Sequence, residues 1–344
     1  MGLFSCGGGD PAEAAQPPGI RVKPSSIPSA PAGGVSLNAA YIKASADTPA
    51  AGPGDFRTFC KISHYGYDDP LVNQTPGTPN RSHLHTFWGN TDTNYNTDIT
   101  VSPQTTGGNS TCRGGTLNRS RYWVPTMIDT RTGAVVQATG VHQYYKRSNI
   151  TLGSDINFIP TNLRMVSGIS TSTTYQGVSR LHFSCFDSGG TGTDYTNLVS
   201  ASFGTCVAGL EMWMVVGYGQ CLSTTLGVPD VDSSNHRDHH TDPSGGVCPG
   251  SHPYGIPGIS SNVIFTVPTP ASDIKYWRLA SDTYTGPGGY SIHGDFAMGW
   301  DTNLHKSWVN GCNKQNVSCF EHLVGLRDEN DNVIGSREIY GVDP

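Results

Sequence analysis

The chain has few charged residues and no long apolar run, and both absences exclude classes of protein to which it could otherwise belong. Charged side chains make up 14% of the 344 residues, and the formal net charge is -6. No run of about 18 consecutive apolar residues occurs, so no segment is predicted to span a membrane. The chain also lacks a basic stripe, which argues against nucleic acid as a partner.

The common reaction motifs are missing as well. The sequence contains no Gly-x-Ser-x-Gly elbow, no Walker A run, no Rossmann fingerprint and no His-Glu-x-x-His helix motif. These absences argue against an α/β-hydrolase, a P-loop enzyme, a dinucleotide-binding enzyme and a helical zinc protease. No Cys-x-x-Cys pair occurs either, so a zinc ribbon is not expected.

Turn residues are abundant, and they predict a β-rich fold. There are 43 glycines and 23 prolines, and short β-branched and aromatic runs alternate with Thr-Gly-Gly, Ser-Gly-Gly and Pro-Gly clusters. The predicted strand runs are 121–125, 140–145, 179–185, 210–216 and 262–267. We expect a mostly β protein with one large β-sandwich or jelly-roll-like domain, long loops and few short helices. The best helix candidate is 303–312.

The first fifty residues differ from the rest in composition. Cys6, in Leu3-Phe-Ser-Cys6-Gly, resembles the lipidated cysteine of a bacterial lipoprotein signal. The Gly/Pro/Ala/Ser-rich residues that follow predict a disordered tether, so 1–53 is expected to be a tether and 54–344 a single β-rich domain. On this interpretation the only membrane contact is a lipid anchor at Cys6.

Cysteine usage predicts an oxidising compartment. Apart from Cys6 the chain has eight widely spaced cysteines, an even set that suits up to four disulfides. Buried free thiols are the alternative, and the pairing cannot be read from the sequence. The expected location is therefore extracellular or at the cell surface.

Two short runs are the strongest candidates for a functional site. The first holds His83 and His85, and the second, Gly288 to Asp301, holds His293 and Asp295. In a strand, residues two apart point to the same face, so each run would present two polar groups side by side. We expect His83, His85 and His293 to form a divalent-metal or acid–base centre, with Asp295 orienting the His293 ring.

Further residues are weaker candidates. Asp69 is a candidate site residue, although Asp68-Asp69-Pro70 also suits a simple turn. Aromatic residues near Asn and Asp are typical of glycan-binding clefts, and each also suits a core position. The candidate substrate-binding residues are Tyr122, Trp123, Tyr290, Trp300 and Asp301. The histidine-rich run 235–242 predicts a solvated loop, with a lid or a further ligand as the alternative.

These motifs together resemble the family called domain of unknown function 1996, over about residues 56–312. The resemblance is carried by Asp69-Pro-Leu-Val72, Ser82-His-Leu-His85, Tyr122-Trp-Val-Pro125, Gly289-Tyr-Ser-Ile-His-Gly-Asp-Phe296 and Gly299-Trp-Asp301. The family is common in secreted fungal proteins, where it can lie beside WSC wall-binding modules, and it also occurs in bacteria. The resemblance implies secretion and association with cell-wall or extracellular polysaccharide. The chain departs from it at Cys221-Leu-Ser-Thr-Thr, where the family has Cys-Trp-Asp-Gly.

The leading functional hypothesis is an extracellular carbohydrate-active hydrolase that acts on polysaccharide through the His/Asp centre. One alternative is a non-catalytic glycan- or wall-binding module, and another is a structural surface protein that assembles through its β-edges. A shared cleft for the two histidine runs favours an enzyme. A flat aromatic strip remote from the histidines favours a binding module, and a long unpaired edge strand favours assembly.

Overall fold

A computed structural model describes residues 19–20, 22–29, 50–51, 53–72 and 78–320. The fold is mostly β, as expected, and its two large sheets face each other like a sandwich. Cys6 and the residues after Phe320 lie outside the described part of the chain.

The larger sheet has eight strands and contains most of the β-branched and aromatic runs. In spatial order its strands are β1 (Ala50–Ala51), β21 (Val317–Phe320), β2 (Asp55–Cys60), β8 (Gly140–Lys146), β18 (Gly258–Thr266), β12 (Glu211–Gly217), β10 (Leu181–Phe186) and β11 (Gly192–Tyr195). Neighbouring strands are antiparallel except for β2 and β21, which run parallel. Four of the five predicted strand runs form β8, β10, β12 and β18.

The smaller sheet has five antiparallel strands and carries the candidate site. In spatial order its strands are β3 (Ile62–Gly66), β4 (His85–Gly89), β5 (Arg121–Pro125), β20 (His293–Ala297) and β9 (Arg164–Gly168). The predicted run 121–125 is β5. His83 was expected to lie inside a strand with His85, but it occupies a bend just before β4.

Minor sheets and short helices complete the fold. The small sheets consist of β6 (Met127–Asp129), β7 (Ala134–Val135) and β19 (Trp277–Leu279); β13 (Cys221–Leu222), β16 (His240–Thr241) and β17 (Tyr254–Gly255); and β14 (Thr224–Thr225) with β15 (Val228–Pro229). The α-helices are α1 (Leu198–Ser202) and α2 (Thr302–Trp308), and a π-helical turn (Val309–Asn313) continues α2. The helix predicted at 303–312 is therefore present. The 3-10 turns are Pro24–Ser26, Pro103–Thr105, Gly115–Leu117, Gly153–Asp155 and Ala271–Tyr276. Within the described ranges, no helix has the length and apolar character needed to cross a membrane.

The main core lies between the two large sheets. Side chains alternate along each strand, so Tyr122 of β5 and Phe296 of β20 point inward, and they meet Phe56 and Tyr145 from the larger sheet in one buried cluster. The intervening side chains of the smaller sheet point outward. Loops cover that outer face, where Phe87, Trp123 and Val166 belong to a second, smaller cluster. The candidate site forms on this covered outer face.

Four disulfides close loops across the fold, and they confirm the predicted pairing of all eight cysteines. The pairs are Cys60–Cys112, Cys185–Cys206, Cys221–Cys248 and Cys312–Cys319. The segment that departs from the family pattern thus still supplies a disulfide through Cys221. Four disulfides fit an oxidising, extracellular environment.

Part of the predicted tether is packed against the domain. The Ile20 N–H donates to the Ala280 carbonyl, and the Lys23 N–H donates to the Gly133 carbonyl. Val22 is 4% exposed and belongs to a buried cluster with Ala280. Residues 19–20 and 22–29, inside the predicted tether, thus contact the domain, because a few of their apolar side chains are buried against it.

Candidate metal centre

The strand register brings the two histidine runs together on the outer face of the smaller sheet. Phe87 of β4 and Asp295 of β20 both pair with Trp123 of β5, so β4 and β20 flank the same strand. Counting in steps of two along each strand places His85 and His293 on this face as well. The pairing of strands distant in sequence is what joins the runs.

Three imidazole rings meet at this point. His83 Nε2 lies 3.2 Å from His293 Nε2. The ring centroids are 4.2 Å apart for His83 and His85, 5.0 Å for His83 and His293, and 5.8 Å for His85 and His293. One nitrogen from each ring lies within 4.8 Å of the others, a spacing that could hold a metal ion.

Backbone carbonyls set the orientation of two of the rings. His85 Nδ1 lies 2.9 Å from the Asp68 carbonyl oxygen, and His293 Nδ1 lies 2.7 Å from the Ser291 carbonyl oxygen. A carbonyl can only accept, so each Nδ1 must carry the proton and donate it. In a neutral ring this leaves the Nε2 lone pair free to bind an electrophile. His85 Nε2 is buried and has no hydrogen-bond partner among the described residues.

Burial keeps these rings neutral. It lowers the pKa of His83 and of His85 well below the usual value, and the neighbouring imidazoles lower both further. Burial also lowers the pKa of His293 to about 4. The neutral imidazole is the form that binds metal, so at neutral pH the three rings are already in the protonation state that metal binding requires. Only His83 of the three is partly exposed, so a ligand would reach the centre from its side.

Asp295 does not orient His293, contrary to expectation, because the Ser291 carbonyl fills that role. Asp295 is fully buried, and neither carboxyl oxygen has a hydrogen-bond partner among the described residues. Burial raises its pKa well above the usual value, and the nearby Asp69 raises it further. Burial also raises the pKa of Asp69, although hydrogen bonds from the Val72 and Leu71 N–H groups oppose the shift. Both carboxyls are thus buried, and Arg237 opposes the rise in the pKa of Asp295.

The predicted glycan-cleft residues lie mostly in the core. Tyr122 and Trp123 are fully buried and Trp300 is 3% exposed, so none of the three presents a ring face at the surface. Tyr290 is partly exposed. Asp301 caps α2, where its carboxylate accepts hydrogen bonds from two backbone N–H groups. The buried rings of Tyr122, Trp123 and Trp300 therefore pack in the core and offer no surface to a sugar.

The sequence interpretation missed several residues next to the centre. The carbonyl oxygens of Asp68 and Ser291 carry no side-chain signal and could not have been found. Run 235–242 was expected to be a solvated loop, yet His239 and His240 are buried, and its Arg237 donates from Nε to the Gly168 carbonyl. The only sequence signal that could have identified Arg237 is its position, as a positively charged residue, inside a histidine-rich run.

The fold and the site define a disulfide-bonded β-sandwich protein with a three-histidine centre on one outer face. The chain belongs to the family described as domain of unknown function (DUF1996), which matches residues 69–300. No curated protein and no solved structure matches the chain.

Proposed function

We propose that the protein is a metal-dependent hydrolase of extracellular polysaccharide, with zinc held by His83, His85 and His293. The observation that carries this proposal is the convergence of three neutral imidazoles, two of which have Nδ1 bonded to backbone carbonyls. Metal-binding histidines characteristically donate their second ring N–H to such an acceptor.

The distance between one pair of nitrogens supports zinc. Two imidazole nitrogens at about 2.0–2.1 Å from a tetrahedral zinc ion lie about 3.3 Å apart. The distance between His83 Nε2 and His293 Nε2 is 3.2 Å. An all-imidazole set also suits zinc better than magnesium or calcium, which prefer oxygen ligands.

Three protein ligands leave a fourth position of the kind found in catalytic zinc sites. Zinc in such a site polarises a carbonyl oxygen and lowers the pKa of water to about 7. Glycosidic bonds are instead usually cleaved by two carboxyls that flank the bond. Asp295 and Asp69 are both buried in the protein. We therefore propose that the bond cleaved is an ester or amide substituent on the polysaccharide.

The covalent structure and the composition support the proposed extracellular setting. Four disulfides are stable in an oxidising compartment. The lipobox-like Cys6 supports a lipid anchor that would hold the domain at a cell surface, close to wall polysaccharide.

The test is metal analysis combined with an assay of acetate release from acetylated polysaccharide. The purified protein should take up about one zinc per chain, and His83→Ala should lose both metal and acetate release. His83 is the variant of choice because it is the only ligand that is partly exposed. His182→Ala is the matched control, because His182 lies on the larger sheet beside Asp194 and should change neither property. Wild-type protein that takes up no zinc would refute the proposal.

One observation favours a second candidate function, glycan binding without catalysis. A row of rings crosses the outer face of the larger sheet, with centroids 5.4 Å apart for Phe59 and His142, 5.4 Å for His142 and Trp213, and 4.5 Å for Trp213 and Phe186. Aromatic surfaces of this kind suit sugar rings. Polysaccharide binding by metal-free protein without acetate release would select this function.

A further inference from the structure

A groove of about 300 Å³ lies at the outer edge strand of the smaller sheet, next to the histidine centre. Its walls come from the end of β9, from the loop 169–180 and from the run 235–242. Tyr175, which is 44% exposed, and Ile169, which is 53% exposed, line it and offer apolar surface to a ligand. Its volume is at the lower end of the range for small-molecule sites.

Two arginines line this groove, and their charges are not equally available. Arg180 is paired with Asp242, so its charge is balanced. Arg237 is held by donating to the Gly168 carbonyl at 2.9 Å and to the Asn235 carbonyl at 3.1 Å. It forms no ion pair with any residue that the structure describes. Its charge lowers the pKa of the buried Asp295, but burial raises that pKa by more, so the carboxyl does not neutralise Arg237 and the guanidinium can still pair with a ligand. The His240 ring between them is neutral, because burial lowers its pKa to about 3.

The groove and the histidine centre share a scaffold. Gly168 lines the groove and is the register partner of His293, which puts the two backbones about 5 Å apart. Gln176 ties the groove loop to the segment before His293, because its Nε2 donates to the Tyr290 and Ile292 carbonyls at 2.8 Å each. These two carbonyls flank Ser291, which orients the His293 ring. These contacts fix the position of the groove, and of a ligand bound in it, relative to the histidine centre.

We infer that this groove binds a carboxylate-bearing sugar of the substrate, with Arg237 as the partner of the carboxylate and Tyr175 as the stacking surface. The inference rests on the proposed function, because it names the substrate class of the same site as acidic, uronate-containing polysaccharide. The planar guanidinium matches a carboxylate with two parallel hydrogen bonds, and a partly exposed tyrosine ring suits the apolar face of a sugar. Gly168 lies at the end of the groove that adjoins His293, so one end of the bound sugar chain would lie next to this metal-site histidine.

Calorimetric titration with oligogalacturonate and with a neutral galacto-oligosaccharide of the same length tests this inference. The wild type should bind the acidic oligomer at least about tenfold more tightly, since a charge-assisted pair is lost with the neutral one. Arg237→Gln should abolish the preference, and Arg237→Lys should retain part of it because the charge remains without the fork. Arg131→Gln is the matched control, because Arg131 is an exposed arginine on the β6–β7 turn that pairs with Asp129 and Asp273.

Both titrations are run with zinc-loaded and with metal-free protein, which separates this inference from the proposed function. Preference for the acidic oligomer in protein that takes up no zinc would support the groove and refute the hydrolase. Equal binding of the two oligomers, or an unchanged preference in Arg237→Gln, would overturn the groove assignment even if zinc uptake and acetate release are intact. Equally tight binding of a sulfated neutral oligomer would overturn the assignment to a carboxylate.

Discussion

The buried histidines have two different roles in this protein, and the groups next to each ring determine its role. His83, His85 and His293 face one another, with one nitrogen from each ring close enough to the others to hold a metal. His305 instead accepts the Ile159 N–H on Nε2 at 3.1 Å, and His240 Nε2 lies 3.1 Å from the Val166 carbonyl. These two rings complete backbone hydrogen bonding inside the fold, which is the commoner use of a buried histidine.

Acid should destabilise the protein through its buried histidines outside the centre. Burial lowers the pKa of His142 to about 4 and those of His240 and His305 to about 3. Unfolded histidine binds a proton near pH 6.5, so between about pH 6.5 and 4 the unfolded chain holds more protons than the folded one. The contribution of these histidines to stability is therefore complete above pH 6.5 and falls by about 1.4 kcal/mol per pH unit for each such residue as the pH decreases. The raised pKa values of the buried Asp295 and Asp69 oppose this slope, and the histidines outnumber them.

Urea unfolding between pH 4.5 and 7.5, with excess EDTA to exclude metal effects, measures this slope. His305→Gln should reduce it by about one proton, because a glutamine carbonyl can still accept the Ile159 N–H but does not titrate. A free energy of unfolding that does not change between pH 7 and 4.5 would contradict the expectation.

At the scale of elements, β20 is held at both ends by glutamine side chains from other parts of the chain. Before His293, Gln176 bonds the Tyr290 and Ile292 carbonyls. Beyond Ala297, Gln104 bonds the Gly299 carbonyl. The Gln176 amide supplies donors to two loop carbonyls, whereas the Gly299 carbonyl also accepts the Arg119 N–H. Each amide thus adds a hydrogen bond to the backbone at one end of the strand. In the larger sheet the described edge strands β1 and β11 have only two and four residues, which argues against assembly through the edges of that sheet.

Gln176→Ala should loosen the metal centre, whereas Gln104→Ala should not. Loss of the Gln176 amide frees the segment that orients His293, so zinc affinity should fall by about tenfold, as with other supporting contacts around metal ligands. Amide hydrogen exchange should rise at 290–293 in Gln176→Ala and near Gly299 in Gln104→Ala. Equal zinc affinities of the two variants would show that the anchor at 290–292 does not support the centre.

At the scale of the whole molecule, the N-terminal segment belongs to the folded domain and adjoins the site. A side chain at Gly19, where φ is +123°, would meet the Ala280 carbonyl at 2.4 Å and His83 Cβ at 2.7 Å. Only glycine suits this contact without a shift of the backbone or of His83. Gly19, in the segment that the composition predicts to be a tether, therefore packs against His83, a predicted metal ligand.

Removal of residues 1–29 should destabilise the domain, whereas removal of 1–18 should not. The longer deletion exposes the surface that Val22 covers and breaks the Ile20 and Lys23 backbone hydrogen bonds. Loss of one buried valine contributes about 2 kcal/mol, which lowers the melting temperature of a domain of roughly 290 residues by about 3 °C. Calorimetry of both truncations checks this, with Val22→Ala as a point variant of the same contact. Identical melting temperatures for the two truncations would mean that the segment adds no stability.

The sequence alone determined the β-rich class, the even set of paired cysteines and the family, because these follow from composition, local alternation and motif order. It also identified the three histidines, since unusual residue types stand out at any position. Only the tertiary structure decided which strands became neighbours, which carbonyls orient His85 and His293, and that Arg237 adjoins them. It also decided that Trp123 is buried. The strand neighbours and the position of Arg237 depend on contacts between residues far apart in the chain. Ser291 is only two residues from His293, but its backbone carbonyl leaves no trace in residue identity.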